Sequence, residues 1–111
     1  MRIRSEGYLY RVPVHEKFKV TAMYITELSA IIGKEIEVTK WRDGKEKYQA
    51  KLSGIDVREG NLLSSVWESG ATPKEAIKNY CKAISNQYLI ANAYGGSSRR
   101  EYDLRKITVI I

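Results

Sequence analysis

The chain offers a single imidazole, His15, and a single thiol, Cys81. Nucleophilic or metal chemistry would have to be built from these two or from carboxylates. A histidine serves as general base only with a proton-bearing group in reach. No nucleophile stands at a recognisable spacing from His15, and beside Glu16 it reads as a surface residue. Lys78 and Lys82 flank Cys81 and would favour a thiolate, but its place at the edge of an apolar helical arc reads better as a small core filler. One histidine and one cysteine far apart cannot make a zinc site. Asp56, Glu59 and Glu68 could offer oxygens to magnesium around a turn, although exposed turn carboxylates are the simpler reading. Gly95-Gly96 precedes a strand rather than a helix, so it is no phosphate-cradling loop. The expectation is a non-catalytic chain without metal or cofactor.

Binding chemistry is better represented. Lys74, Lys78 and Lys82 recur every four residues and form one stripe along a helix, facing away from the apolar Ala76, Tyr80, Ala83 and Ile84. Such a stripe can follow backbone phosphates, or it can be a solvated helix face. Trp41 falls on an otherwise polar strand face with Glu35, Glu37, Thr39, Lys45, Lys47, Gln49 and Lys51. An aromatic ring among cations suits base stacking or a protein hot spot, and equally a local cation–π pair or cover from the N-terminal arm. Arg99 and Arg100 follow the Gly95-Gly96-Ser97-Ser98 segment. There they could reach a partner or keep a sheet edge from pairing.

These residues need elements to hold them. Tyr8 to Val14 alternates with period two but contains Pro13, which implies an edge strand or an extended arm. A helix is predicted over Ala22–Ile32, with Tyr24, Ile25, Leu28, Ile31 and Ile32 on one arc, Thr21 as its cap and Gly33 as its stop. A hairpin follows, from Glu35 to about Trp41 and from Lys45 to about Leu52. A three-residue loop, Arg42-Asp43-Gly44, would pair Val38 with Tyr48 and Ile36 with Ala50 and so align the apolar faces. A third strand is expected over Asn61–Glu68, after a connection containing Arg58-Glu59-Gly60. Thr72-Pro73-Lys74-Glu75 then opens a second helix to about Ser85, with a capping residue, a first-turn proline and a capping-box glutamate. Gln87–Tyr94 and Arg99–Ile110 finish as two strands. The predicted fold is α+β, in the order β-α-β-β-β-α-β-β, with two helices packed on one face of an antiparallel sheet.

A length of 111 residues holds one domain, and at that size no disulfide or metal is needed for stability. With one cysteine no internal disulfide can form, and nothing points to an oxidising compartment. Met1–Glu6 lacks the apolar stretch of a signal peptide, and no apolar run reaches membrane-spanning length; the cytoplasm is the expected location. The formal charge of +6 favours polyanionic partners over cationic ones. The oligomeric state is not legible.

Two short resemblances bear on function. The central helix, three strands and helix, over about 22–85, resemble the double-stranded RNA-binding domain. The helix entry Gly70-Ala71-Thr72-Pro73-Lys74-Glu75-Ala76 is similar to that family's as well. There Lys74 matches a basic position that grips phosphates, while Pro73 and Ile77 stand where the family has two others. Thr72-Pro73-Lys74-Glu75-Ala76 also resembles the helix start of HicB-type antitoxins, which inhibit a toxin by direct contact. In size and style the chain resembles small proteins of bacteriophages and mobile elements. The leading expectation is a nucleic-acid-binding module that contacts backbone phosphates through Trp41, Lys45, Lys47, Lys74, Lys78, Lys82, Arg99 and Arg100. The alternative is a protein-binding module, antitoxin-like or a phage-encoded inhibitor. No membrane partner is expected.

Overall fold

The computed structural model describes residues 10–12, 21–42 and 46–111. In chain order its elements are β1 (Tyr10–Val12), β2 (Ala22–Tyr24), α1 (Ile25–Ile32), β3 (Ile36–Arg42), β4 (Glu46–Leu52), β5 (Ile55–Glu59) and β6 (Leu62–Ser65). They continue with β7 (Glu68–Gly70), α2 (Pro73–Ile84), β8 (Tyr88–Ala91), β9 (Arg100–Asp103) and β10 (Thr108–Ile110). The fold is α+β, with two helices among the described residues and mostly antiparallel strands.

The strands form three sheets rather than one: β1-β9-β8-β5-β6, β3-β4-β7 and the pair β10-β2. Two pairings are parallel, β1 with β9 and β10 with β2. The tyrosine-rich segment does supply an edge strand, β1; Pro13 and the rest of that segment lie outside the described residues.

The first helix is shorter than its periodicity implies. Ala22–Tyr24 runs as a strand beside Thr108–Ile110, which commits those backbone groups to a partner more than eighty residues away. Tyr24 is consequently 54% exposed instead of joining the apolar arc. The helix begins where that pairing ends, and Glu27 Oε1 accepts from the Tyr24 N–H at 3.0 Å in place of a Thr21 cap. Ile25, Leu28 and Ile32 are buried as the arc requires, and Gly33 closes the helix at φ 76°, a conformation that costs glycine little.

The β3–β4 hairpin keeps the expected faces with a different register. Val38 pairs with Ala50 and Ile36 with Leu52, up to Arg42 with Glu46. The connection is therefore residues 43–45, one position later than expected and outside the described residues. A shift of two in pairing preserves which side chains share a face. It is favoured because it draws Leu52, 1% exposed, into the ladder; the alternative would set Leu52 opposite Lys34, beyond the strand.

The expected third strand, 61–68, is in fact parts of two. Ile55–Glu59 and Leu62–Ser65 form a hairpin in the five-stranded sheet, whereas Glu68–Gly70 pairs with β4 in another. The chain crosses between sheets at Val66 and Trp67. The last expected strand divides likewise: after Asp103 a turn with Lys106 at φ 72° carries the chain from β9, paired with β8, to β10, paired with β2.

The second helix matches its signals closely. Thr72 Oγ1 accepts from the Glu75 N–H at 3.1 Å, and Glu75 Oε1 accepts from the Ala71 N–H at 2.6 Å. Helix α2 packs on β4 and β7 and against β10, while α1 packs against β2 and β10. One core collects Leu28, Leu52, Tyr80, Ile84, Leu89, Leu104 and Ile107. At Gly70 the strand backbone lies close to the start of α2: a Cβ there would stand 2.5 Å from the Ala76 nitrogen.

Candidate functional site

The expected contact residues form three groups, each fixed by a different element. On α2, Ala76, Tyr80, Cys81 and Ile84 are buried, which turns Lys74, Lys78 and Lys82 outward. All three are exposed, and none forms an ion pair among the described residues. Four residues of helix rise about 6 Å, so the ammonium groups make an evenly spaced row.

Trp41 is the register partner of Lys47, and its strand face also carries Glu37, Thr39, Gln49 and Lys51. The Trp41 side chain and all of Lys45 lie outside the described residues. Helix α2 covers the other face of this sheet, where Ala50 and Leu52 enter the core. Alternation along β3 and β4 therefore separates the Trp41 position from the lysine row by the thickness of the sheet. On the helix side of the same hairpin, Lys40 Nζ lies 6.0 Å from the Tyr48 ring centroid.

Arg99 and Arg100 are half-buried and turned onto their own loop. Arg99 donates to the Ala93 carbonyl at 3.3 Å and to Glu101 Oε2 at 3.4 Å. Arg100 donates to the Ser97 and Arg99 carbonyls at 2.7 and 2.8 Å. These bonds brace the connection between β8 and β9. The three groups thus occupy the outer side of α2, the far face of β3–β4 and a loop of the five-stranded sheet.

Two further constellations arise only in three dimensions. One is a polar network on the face of the five-stranded sheet turned away from the core. The Tyr88 hydroxyl donates to Glu101 Oε1 at 2.7 Å, and Arg58 approaches the same oxygen at 3.8 Å. The Arg58 and Arg105 guanidinium carbons stand 5.0 and 5.4 Å from the Tyr88 ring centroid. Arg105 binds both oxygens of Asp103, at 2.8 and 2.7 Å, and these hydrogen bonds hold its pKa above the ordinary value. Glu101 and Asp103 are buried, which for carboxylates requires such partners.

The other is a cleft of about 480 Å³ whose lining includes Trp67, Tyr94, Asp56, Ser65, Lys51 and Asn92. Trp67 is 50% and Tyr94 91% exposed. The sequence does carry a signal for it. Trp67 sits in a segment of poor alternation and Tyr94 beside Gly95-Gly96, so neither ring has a periodic core position to fill.

Asp56, Glu59 and Glu68 do not assemble; among the described residues there is no group of three or more potential ligands that could hold a metal ion. Cys81 is buried, and burial pushes its thiol up to about 11, the reverse of an activated nucleophile. His15 lies outside the described residues. No described helix is long and apolar enough to cross a membrane. Comparison with protein-family models, curated proteins and solved structures finds no match to this chain.

Proposed function

We propose that the chain is a non-catalytic nucleic-acid-binding module that holds backbone phosphates on the lysine row of α2. The observation carrying this reading is that Lys74, Lys78 and Lys82 are exposed, collinear and free of carboxylate partners among the described residues. Unpaired cations keep their attraction for an external anion, whereas paired ones spend it internally. The net charge of +6 adds long-range attraction of the same sign. Trp41, Lys45 and Lys47 are kept as a separate, secondary contact; of these, Trp41 and Lys47 are register partners on the strand face opposite the one α2 covers.

Counterion release makes this reading quantitative. Three phosphates neutralised on a duplex contribute about −2.7 to the slope of log affinity against log salt. Between about 50 and 200 mM salt, the three lysines then account for a roughly 40-fold fall. Fluorescence anisotropy with duplex RNA and DNA over that range should show this fall. In the Lys74→Glu, Lys78→Glu, Lys82→Glu variant the binding should be lost while the helix stays folded. Tight binding indifferent to salt and to the triple substitution would dismiss the reading.

A second reading, a protein-interaction module of the antitoxin-like or phage-inhibitor kind, draws on a different observation. A groove of about 350 Å³ is lined from α2 by Lys78, Cys81 and Lys82 and from β10 by Val109 and Ile110. An apolar lining that includes two lysines suits an acidic, apolar segment of another protein. A partner retained after nuclease treatment and released by Ile110→Asp would favour it.

A further inference from the structure

The cleft between Trp67 and Tyr94 combines three chemistries that a single ligand must satisfy together. Its lining includes two exposed aromatic rings, a residue type that stacks flat π-systems and sugar faces alike. It includes Asp56, whose Oδ1 accepts from Ser65 Oγ at 3.1 Å; Oδ2 has no protein partner among the described residues. It also includes Lys51. The volume lies within the ordinary range for small-ligand sites, about 300–1,000 Å³.

The cleft is also held in shape before any ligand arrives. Asn92 donates from Nδ2 to the Ser98 carbonyl at 3.2 Å and accepts at Oδ1 from Lys34 Nζ at 3.1 Å. Its backbone N–H bonds the Gly54 carbonyl at 3.1 Å, and its carbonyl accepts from the Gly95 N–H at 2.8 Å. One of these four bonds ties the loop bearing Tyr94 to the turn before β5, one ties it to Lys34 after α1, and two close the loop on itself. Asp56 itself lies on the β5–β6 hairpin opposite Ser65, so the carboxylate sits on a paired strand rather than on a loop.

We infer that this cleft binds a guanine nucleotide, free or as an unpaired residue of a strand, with the base between Trp67 and Tyr94, its N1–H and N2 amine on Asp56, and its phosphate on Lys51. Each oxygen of a carboxylate has two lone pairs, so the bond from Ser65 leaves Oδ1 able to accept again and Oδ2 fully open. Guanine alone among the common bases sets two N–H donors side by side on its Watson–Crick edge. Adenine and cytosine place an acceptor nitrogen beside their amine, and uracil has one N–H between two carbonyls; each would bring a lone pair against the carboxylate. A neutral glycan could stack on the rings and accept a hydrogen bond from Lys51, but it carries no anionic group to pair with that charge. The strand-borne form of this ligand rests on the nucleic-acid reading above, whereas the free nucleotide does not.

The test is calorimetric titration of the full chain with GMP, AMP and UMP, and with two single-stranded RNA pentamers of uridine that carry a central G or A. GMP, or the G pentamer, is expected to bind about tenfold more tightly than its A counterpart, the discrimination typical of a good bidentate pair. Binding by GMP identifies a free-nucleotide site; binding confined to the G pentamer identifies a strand-borne one, and both support the assignment. Asp56→Asn, an isosteric change, should remove the preference for G. Trp67→Ala and Tyr94→Ala should each weaken binding about tenfold, and Tyr94 is too exposed for its loss to unfold the chain. The Lys74→Glu, Lys78→Glu, Lys82→Glu variant should retain GMP. GMP binding by a chain that ignores duplexes would sink the phosphate-row reading and leave this one standing. Equal affinity for G and A, a preference that survives Asp56→Asn, or binding of a neutral hexasaccharide without binding of GMP would overturn it.

Discussion

Raising the pH above about 9 should loosen the core at Cys81. The thiol is 2% exposed, and burial pushes its pKa from 9.0 to about 11. The folded state therefore retains a proton that the unfolded chain gives up. Below pH 9 both states hold it and the contribution is complete; between about 9 and 11 only the folded state does, so stability falls as pH rises. Two pH units at 1.36 kcal/mol each amount to roughly 2–3 kcal/mol, a large part of a small domain's total. Tyr80, one position away and pushed up to about 12 by burial, extends the loss in the same direction; a Cys81 thiolate makes Tyr80 harder to ionise. Urea denaturation at pH 8, 9, 10 and 11 on the wild type and Cys81→Ala isolates the thiol, because lysine titration is common to both. The wild type should lose stability faster by the stated amount, and at pH 8 its thiol should react with a disulfide reagent far more slowly than free cysteine. Parallel pH profiles for the two proteins, or a thiol as reactive as a small molecule, would refute the reasoning.

Two further outcomes follow from packing. Gly70→Ala places a Cβ 2.5 Å from the Ala76 nitrogen and 2.8 Å from the Glu75 carbonyl carbon; these are backbone atoms that cannot step aside, so a loss of about 2–3 kcal/mol in urea denaturation is expected. Tyr88→Phe keeps the ring beside Arg58 and Arg105 and removes the 2.7 Å hydrogen bond to Glu101. It should cost about 1.5–3 kcal/mol, the value of a hydrogen bond to a charged group, and an unchanged melting temperature would show that the arginines suffice.

Features carried by neighbours in sequence were legible from the residues themselves. The Thr72-Pro73-Lys74-Glu75 entry fixed the start of α2, because capping bonds span only three or four residues. The apolar arcs of both helices, the outward lysine row and the buried place of Cys81 followed from the 3.6-residue period. The facing of β3 and β4 followed from period two, and it survived a register shifted by two.

What only the tertiary structure decided involves partners far apart in the chain. Nothing near Ala22 announces that Thr108–Ile110 will claim it as a strand. Nor does any local signal show that Val66 and Trp67 step from one sheet to another, splitting what reads as one strand. Arg99 and Arg100 looked available because arginines after a glycine-rich loop usually are; the carbonyls of their own loop and Glu101 occupy them instead. The Trp67–Tyr94 cleft draws its lining from positions 51 to 98. Hydrophobic periodicity records which side of an element is buried, but not which other element buries it. That choice is made by the combined packing of the whole chain, and the cleft exists only once it has been made.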